Sequence, residues 1–313
     1  MLQRKKRVGF TLVELMVVVL IIAVLVSLIS SAAFMALGKI PEVQTSTDIA
    51  QMGAALGAFM SDYRLTNPPP SVLVLNETTP TDPLVVGSTS AAFLTKVFGR
   101  NLGPTDWNGD GAISGQWVLT GEQSLIFYIT GIPNTQTTAA QLAAGQVPTY
   151  QGLGFASNQM KPSFGSMTGE KPGKRHGPYF NLPSSYLNKS GLWDRGLAPQ
   201  ASNTRAAQFL VYYDAWANKS GAVPLAYFSS SGFSNQYGTV VTITDPYNRP
   251  IMTVPVTLIG AAPYFTATNQ YVNPNSYQII SAGKDHQFGS GNLNTASSEA
   301  PGGHDDQANF SIK

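Results

Sequence analysis

Residues 15–37 form an apolar run of 23 residues in which only Ser27, Ser30 and Ser31 have polar side chains. As a helix this run is roughly 35 Å long at 1.5 Å per residue, enough to cross the ~30 Å hydrocarbon core of a bilayer. Arg4, Lys5, Lys6 and Arg7 precede it, and no acidic residue occurs before Glu14. A basic flank before an apolar helix stays on the cytoplasmic side, which puts the rest of the chain across the membrane. A cleaved secretory signal is the competing reading, with Ser30-Ser31-Ala32-Ala33 as a partial processing site. Its apolar region is usually only about 7–15 residues, however. Glu14 also favours a retained anchor, because a carboxylate at the mouth of an apolar helix is costly and marks a functional position.

Composition narrows the chemistry. The 313 residues include no cysteine, which excludes disulfides, thiolate metal sites and a cysteine nucleophile. A formal charge of +2 and a 12% charged fraction give no basic footprint for nucleic acid. The 30 glycines and 21 prolines predict many turns.

The segment Lys-Arg-Val-Gly-Phe-Thr-Leu-Val-Glu-Leu, residues 6–15, resembles the type III signal of type IV pilins and type II secretion pseudopilins. The resemblance implies cleavage after Gly9 by prepilin peptidase, N-methylation of the new N-terminal Phe10, and Glu14 as fifth residue of the mature chain. It further implies assembly with other pilin or pseudopilin subunits on an inner-membrane platform, with Glu14 pairing with the Phe10 ammonium of a neighbour. Many pilins carry a proline partway along this helix. Here the matching position is Ser31 and the first proline is Pro41, where a bend is expected.

After Pro41, Ile49, Met52, Leu56, Phe59 and Tyr63 form one apolar stripe at helical spacing, with Ser46, Thr47 and Asp48 as a cap for a restart. The helix should end near Arg64, before Asn67-Pro68-Pro69-Pro70. Within the polar stretch 71–205, a short helix is expected at 90–98, strands at 117–119 and 125–129, a helix at 139–144 and a flexible cationic loop at 161–177. Strands are expected at 209–213, 224–228, 239–244, 252–259 and 277–282. Asp214-Ala215-Trp216 and Asp245-Pro246-Tyr247-Asn248-Arg249-Pro250 read as related turns built on Asp, Asn and Pro. Both resemble a turn of the major pseudopilins.

Two groups of hard oxygen donors suit calcium, which takes roughly 6–8 oxygens. In the tail, Gly283 to Gly289 forms Gly-x-Asp-x-x-x-Gly, and Asp305-Asp306 follows late. The layout resembles the calcium loop of the major type II pseudopilin, which makes Asp285, Asp305 and Asp306 the candidate ligands. The other group, Asp106, Asn108 and Asp110 with Gly111, matches the first half of an EF-hand loop. Trp117 stands where that loop needs a bidentate Glu, and Glu122 substitutes only if the backbone turns back. A solvated Asn/Asp/Gly turn explains either group without metal. His176, His286 and His304, the only histidines, read as surface residues.

No nucleophile elbow, phosphate loop or H-E-x-x-H motif is present, so the expectation is a non-enzyme. The expected fold is α+β and pilin-like: a long N-terminal helix, half membrane and half amphipathic, packed on an antiparallel β-sheet domain. The expected organisation is leader 1–9, membrane helix 10–38, amphipathic helix 39–66, inserted variable region 67–205 and β-rich domain 206–313. The expected function is a structural subunit of a pseudopilus or type IV-like pilus, anchored in the inner membrane with a periplasmic C-terminal domain. A filament-displayed, calcium-dependent adhesin or substrate-binding minor subunit is the alternative.

Overall fold

One helix, α1, runs from Leu12 to Asp62 with Pro41 inside it. It belongs to a computed structural model that describes residues 11–109, 113, 115–134, 151–157, 162, 174–182, 209–216, 223–230, 237–267, 270–293 and 305–310. The expected restart at Ser46–Asp48 does not occur. A proline removes one N–H from the ladder, and here the helix continues through it. Asp48 instead accepts the Tyr212 hydroxyl at 2.7 Å, and Thr45 Oγ1 accepts the Ala215 N–H at 3.2 Å. The C-terminus falls where the prolines required. Arg64 takes a left-handed φ of 51°, and the Leu65 N–H closes back onto the Met60 carbonyl at 2.8 Å.

The chain divides into two units, residues 1–44 and 45–313. In the first, the described part is helix, and the side chains from Leu12 to Ile29 are exposed. The second is built on the apolar stripe read from the sequence. Ile49, Met52, Leu56 and Phe59 are all buried there, with Tyr63 packed beside them. Burial of each such side chain contributes about 1.5–3 kcal/mol.

The strand β1 (Leu73–Asn76) pairs antiparallel with β2 (Gln116–Leu119). Between them lie α2 (Pro83–Val86) and α3 (Ser88–Phe98), close to the helix expected at 90–98. Next comes α4, Gly121–Thr130. Short antiparallel ribbons follow: β3 (Pro133–Asn134) with β4 (Gln151–Gly152), and β5 (Phe155–Ala156) with β6 (Arg175–His176). The last part holds β7 (Ala226–Ser229) and the hairpin of β8 (Val240–Thr244) with β9 (Pro250–Pro255). After it come β10 (Phe265–Ala267) with β11 (Gln270–Tyr271), then β12 (Tyr277–Ser281) and β13 (Gln307–Ala308). The β12 strand is central in an antiparallel sheet of order β13-β12-β7.

Two sheets are buried on both faces. Leu73, Leu75, Trp117 and Leu119 face a core shared with α1, whereas Val74 and Val118 face a second core under the β8–β9 hairpin. Likewise Tyr227 and Ile279 enter the first core, while Ala226, Phe228 and Ile280 enter the second. This explains why these strands read as near-continuous apolar runs.

Two expected strands are corrected. Residues 125–129 are helical, the middle of α4. All ten residues of α4 are buried, so its Leu-Ile-Phe-Tyr-Ile run lacks the polar face that distinguishes a helix from a buried strand. Its ends are set by glycines. A Cβ on Gly121 would overlap the Tyr227 carbonyl oxygen, and Gly131 closes the helix at φ 79°. Residues 209–213 form no strand beyond one bridge, Tyr213 to Pro224. Their five side chains are buried one after another, without alternation. The helix expected at 139–144, and most of the loop at 161–177, lie outside the described residues.

Candidate functional site

At the start of α1, Thr11 and Glu14 form a capping box. Glu14 Oε2 accepts the Thr11 N–H and the Thr11 hydroxyl, both at 2.8 Å, while the Glu14 N–H donates back to Thr11 Oγ1 at 3.3 Å. This reciprocal pairing satisfies N–H groups that a helix start leaves without partners. The Thr-x-x-Glu spacing is the signal that could have revealed this pairing, which gives Glu14 a partner within its own helix. The Ser27 and Ser30 hydroxyls donate to the Val24 and Val26 carbonyls at 2.8 and 2.7 Å. Both polar side chains are thereby satisfied by the helix itself, as a lipid environment requires.

From Leu12 to Ser30 the helix is long and apolar enough to span a membrane, and none of that stretch is buried by the protein. A 19-residue apolar face without protein cover needs lipid or another helix against it.

The chain carries the prokaryotic N-terminal methylation motif. The match covers residues 4–30 and is the signature of type IV pilins and pseudopilins. No curated protein and no solved structure matches the chain. The motif supports a type IV pilin-like precursor, and it implies processing by prepilin peptidase and assembly with other pilin subunits. The pilin-type family is structural rather than enzymatic. The apolar N-terminal helix within this motif fits inner-membrane anchoring. Gly9 and Phe10 lie outside the described residues.

In the C-terminal tail, Asp305 and Asp306 lie against one short turn, Gly283–Asp285, which carries Asp285 itself. Asp305 Oδ2 accepts the Lys284 and Asp285 N–H groups at 2.5 and 3.0 Å. Asp285 Oδ1 accepts the Gln287 N–H at 2.9 Å. The Oδ2 atom of Asp306 accepts the Gly289 N–H at 2.8 Å and a very short bond from the Tyr264 hydroxyl. Its Oδ1 is buried and has no hydrogen-bond partner among the described residues. Burial pushes Asp306 up to about 6 against those two bonds, and the nearby Asp305 and Asp285 charges add to the rise. Gly283, at φ 63°, is needed because a Cβ there would overlap the Asp305 carbonyl. Asp214, read from sequence only as a turn residue, lies near enough to feel the charges of Asp305 and His286. His304 is outside the described residues.

The second candidate loop closes differently from its sequence pattern. Asp106 and Asn108 are buried, and Asp106 Oδ1 accepts the Gly109 N–H at 2.7 Å. Asp110 is outside the described residues. The acid that reaches this loop is Glu77, from the end of β1. Its carboxylate accepts the Trp107 N–H at 3.2 Å and the Gly115 N–H at 2.6 Å, one from each end of the loop. Glu122 does not substitute for the missing Glu. It is buried at the start of α4, where it accepts the Leu258 N–H at 2.9 Å. No sequence pattern pointed to Glu77, which is 29 residues before Asp106. Among the described residues, no group of three or more His, Asp or Glu side chains is arranged to hold a metal by itself.

Proposed function

We propose that this chain is a structural subunit of a type II secretion pseudopilus or type IV-like pilus, polymerised through its N-terminal helix. The observation that carries this reading is the uncovered apolar helix Leu12–Ser30, which lies within the methylation-motif match. Cleavage after Gly9 removes four of the 19 basic residues and leaves 15 against 17 acids, formally −2. The basicity therefore belongs to the leader. The apolar helix remains in the bilayer until neighbouring helices replace the lipid. The capping box keeps Glu14 hydrogen-bonded while the subunit waits, and pairing with a neighbour's Phe10 ammonium then sets register. Mass spectrometry of the membrane-extracted protein tests the reading. An N-terminus at methylated Phe10 supports it, whereas an intact Met1 or a cut near Ala33 sinks it. Glu14→Ala is expected to leave processing intact and abolish filaments; normal filaments count against the pairing step.

A calcium-holding role for the tail is favoured by one specific observation, the buried Asp306 Oδ1 that no group among the described residues satisfies. Asp285, Asp305 and Asp306 would hold one ion. Asp106, Asn108, Asp110 and Glu77 would hold another. A bound ion supplies positive charge at the buried Asp306 carboxylate and offsets its desolvation. Calcium at about 100 times its Kd adds about 2.7 kcal/mol to a folded state that alone binds it. Melting with calcium and with chelator measures this, with Asp306→Asn and Glu77→Gln assigning the shift to tail or loop. No chelator shift in the unmodified protein removes both sites.

A further inference from the structure

The β8–β9 hairpin presents an uncharged outer surface. Val240, Thr242 and Thr253 are exposed, and the two threonine hydroxyls face each other across the strands at 3.3 Å. At its tip, the buried residue is an acid and the exposed residue is an aromatic. The Asp245 side chain is 6% exposed and accepts the Tyr247 N–H at 2.8 Å, the Arg249 N–H at 2.9 Å and Arg249 Nε at 2.6 Å. Asn248 takes the left-handed φ of 58° that the turn requires. Tyr247 is 75% exposed, and the Arg249 guanidinium lies 5.2 Å from its ring centroid.

An exposed Tyr and Arg on a loop ordinarily sample many rotamers, and fixing each on binding costs about 0.5–1.5 kcal/mol. Here Asp245 has already ordered the turn. Tyr and Arg are also the side chains that dominate protein contacts. Arg249 uses only Nε toward Asp245. Among the described residues its two terminal nitrogens make no hydrogen bond, which leaves the edge that grips a carboxylate from two sides.

We propose that this tip docks onto a carboxylate-bearing patch of a second copy of this chain. The proposal rests on the filament reading. Charge favours this occupant: the processed chain carries more acids than bases, and Asp62 is exposed on the same unit, with its Tyr179 and His176 contacts both made through Oδ2. Tip-to-tip contact would set guanidinium against guanidinium, so a symmetric dimer through the tip is disfavoured. Contact between the tip of one copy and a different patch of the next is head-to-tail, the kind of contact that can repeat along a filament.

The absence of native cysteine makes the test clean. Tyr247→Cys is labelled with benzophenone maleimide in the full, membrane-processed protein and illuminated. The expected product is an adduct of two copies, mapping to an acid-bearing peptide of the second. Arg249→Gln still donates to Asp245, so the turn is retained. It is expected to lower the adduct yield at least about fivefold, about 1 kcal/mol in the contact, with Arg249→Lys intermediate. An adduct that persists at full yield in Arg249→Gln, one formed only with another protein, or none at all overturns the proposal. The N-terminal mass of the same sample keeps the two readings apart. Methylated Phe10 without an adduct leaves the filament reading standing and removes this one.

Discussion

Single side chains here do more than their sequence positions suggest. Glu122 is buried in the first turn of α4, and burial raises its pKa despite bonds from its own N–H, the Leu258 N–H and Thr120. A raised folded-state pKa means that ionisation is costlier in the folded chain than in the unfolded one. Its contribution to stability is therefore full below the unfolded value of ~4.3 and is lost as pH rises through the folded value. Glu122→Gln keeps the acceptor for Leu258 and removes the charge. The variant is expected to melt a few degrees above the parent at pH 8, with the two converging near pH ~4. Equal melting at both values would show that Glu122 stays neutral or well solvated. Gln278 is the uncharged counterpart. Fully buried, it accepts the Tyr264 N–H at 2.7 Å and donates to the Tyr264 and Val272 carbonyls at 2.9 and 2.8 Å. One side chain there takes the place of a missing strand partner.

At the scale of elements, glycine separates close packing from open helix. Gly121 opens α4 directly against β7, and its N–H donates to the Val256 carbonyl at 2.6 Å. Gly121→Ala is expected to cost about 3 kcal/mol by overpacking. Gly57, on the exposed face of α1, has nothing near it, and Gly57→Ala is expected to gain up to ~1 kcal/mol of helix propensity. Urea midpoints of both variants check the contrast, and similar shifts would contradict the packing argument. The two related turns were legible as elements. Asp214 accepts the Trp216 N–H at 3.0 Å and Asp245 accepts the Tyr247 N–H at 2.8 Å, the same local bond in each. The helical state of α4 was not legible, because uniform burial erased its period.

The whole molecule separates an assembly helix from a self-sufficient folding unit. Residues 45–313 contain both cores, and these draw on α1, the middle of the chain and its C-terminal third together. A chain beginning at Thr45 is expected to be soluble and to unfold in one cooperative urea transition. Aggregation or separate transitions would show that the cores do not form one unit. The sequence alone determined the features whose residues are contiguous: the apolar membrane segment, the processing signal, the amphipathic stripe and the Asp turns. Each depends on spacing within about one or two helical turns, which a linear reading captures. Only the tertiary structure decided that 121–130 is helix, that Glu77 rather than Glu122 closes the 106–115 loop, and that Asp214 joins the tail acids. Those outcomes depend on which surfaces are buried together, and burial is set by residues tens to hundreds of positions apart.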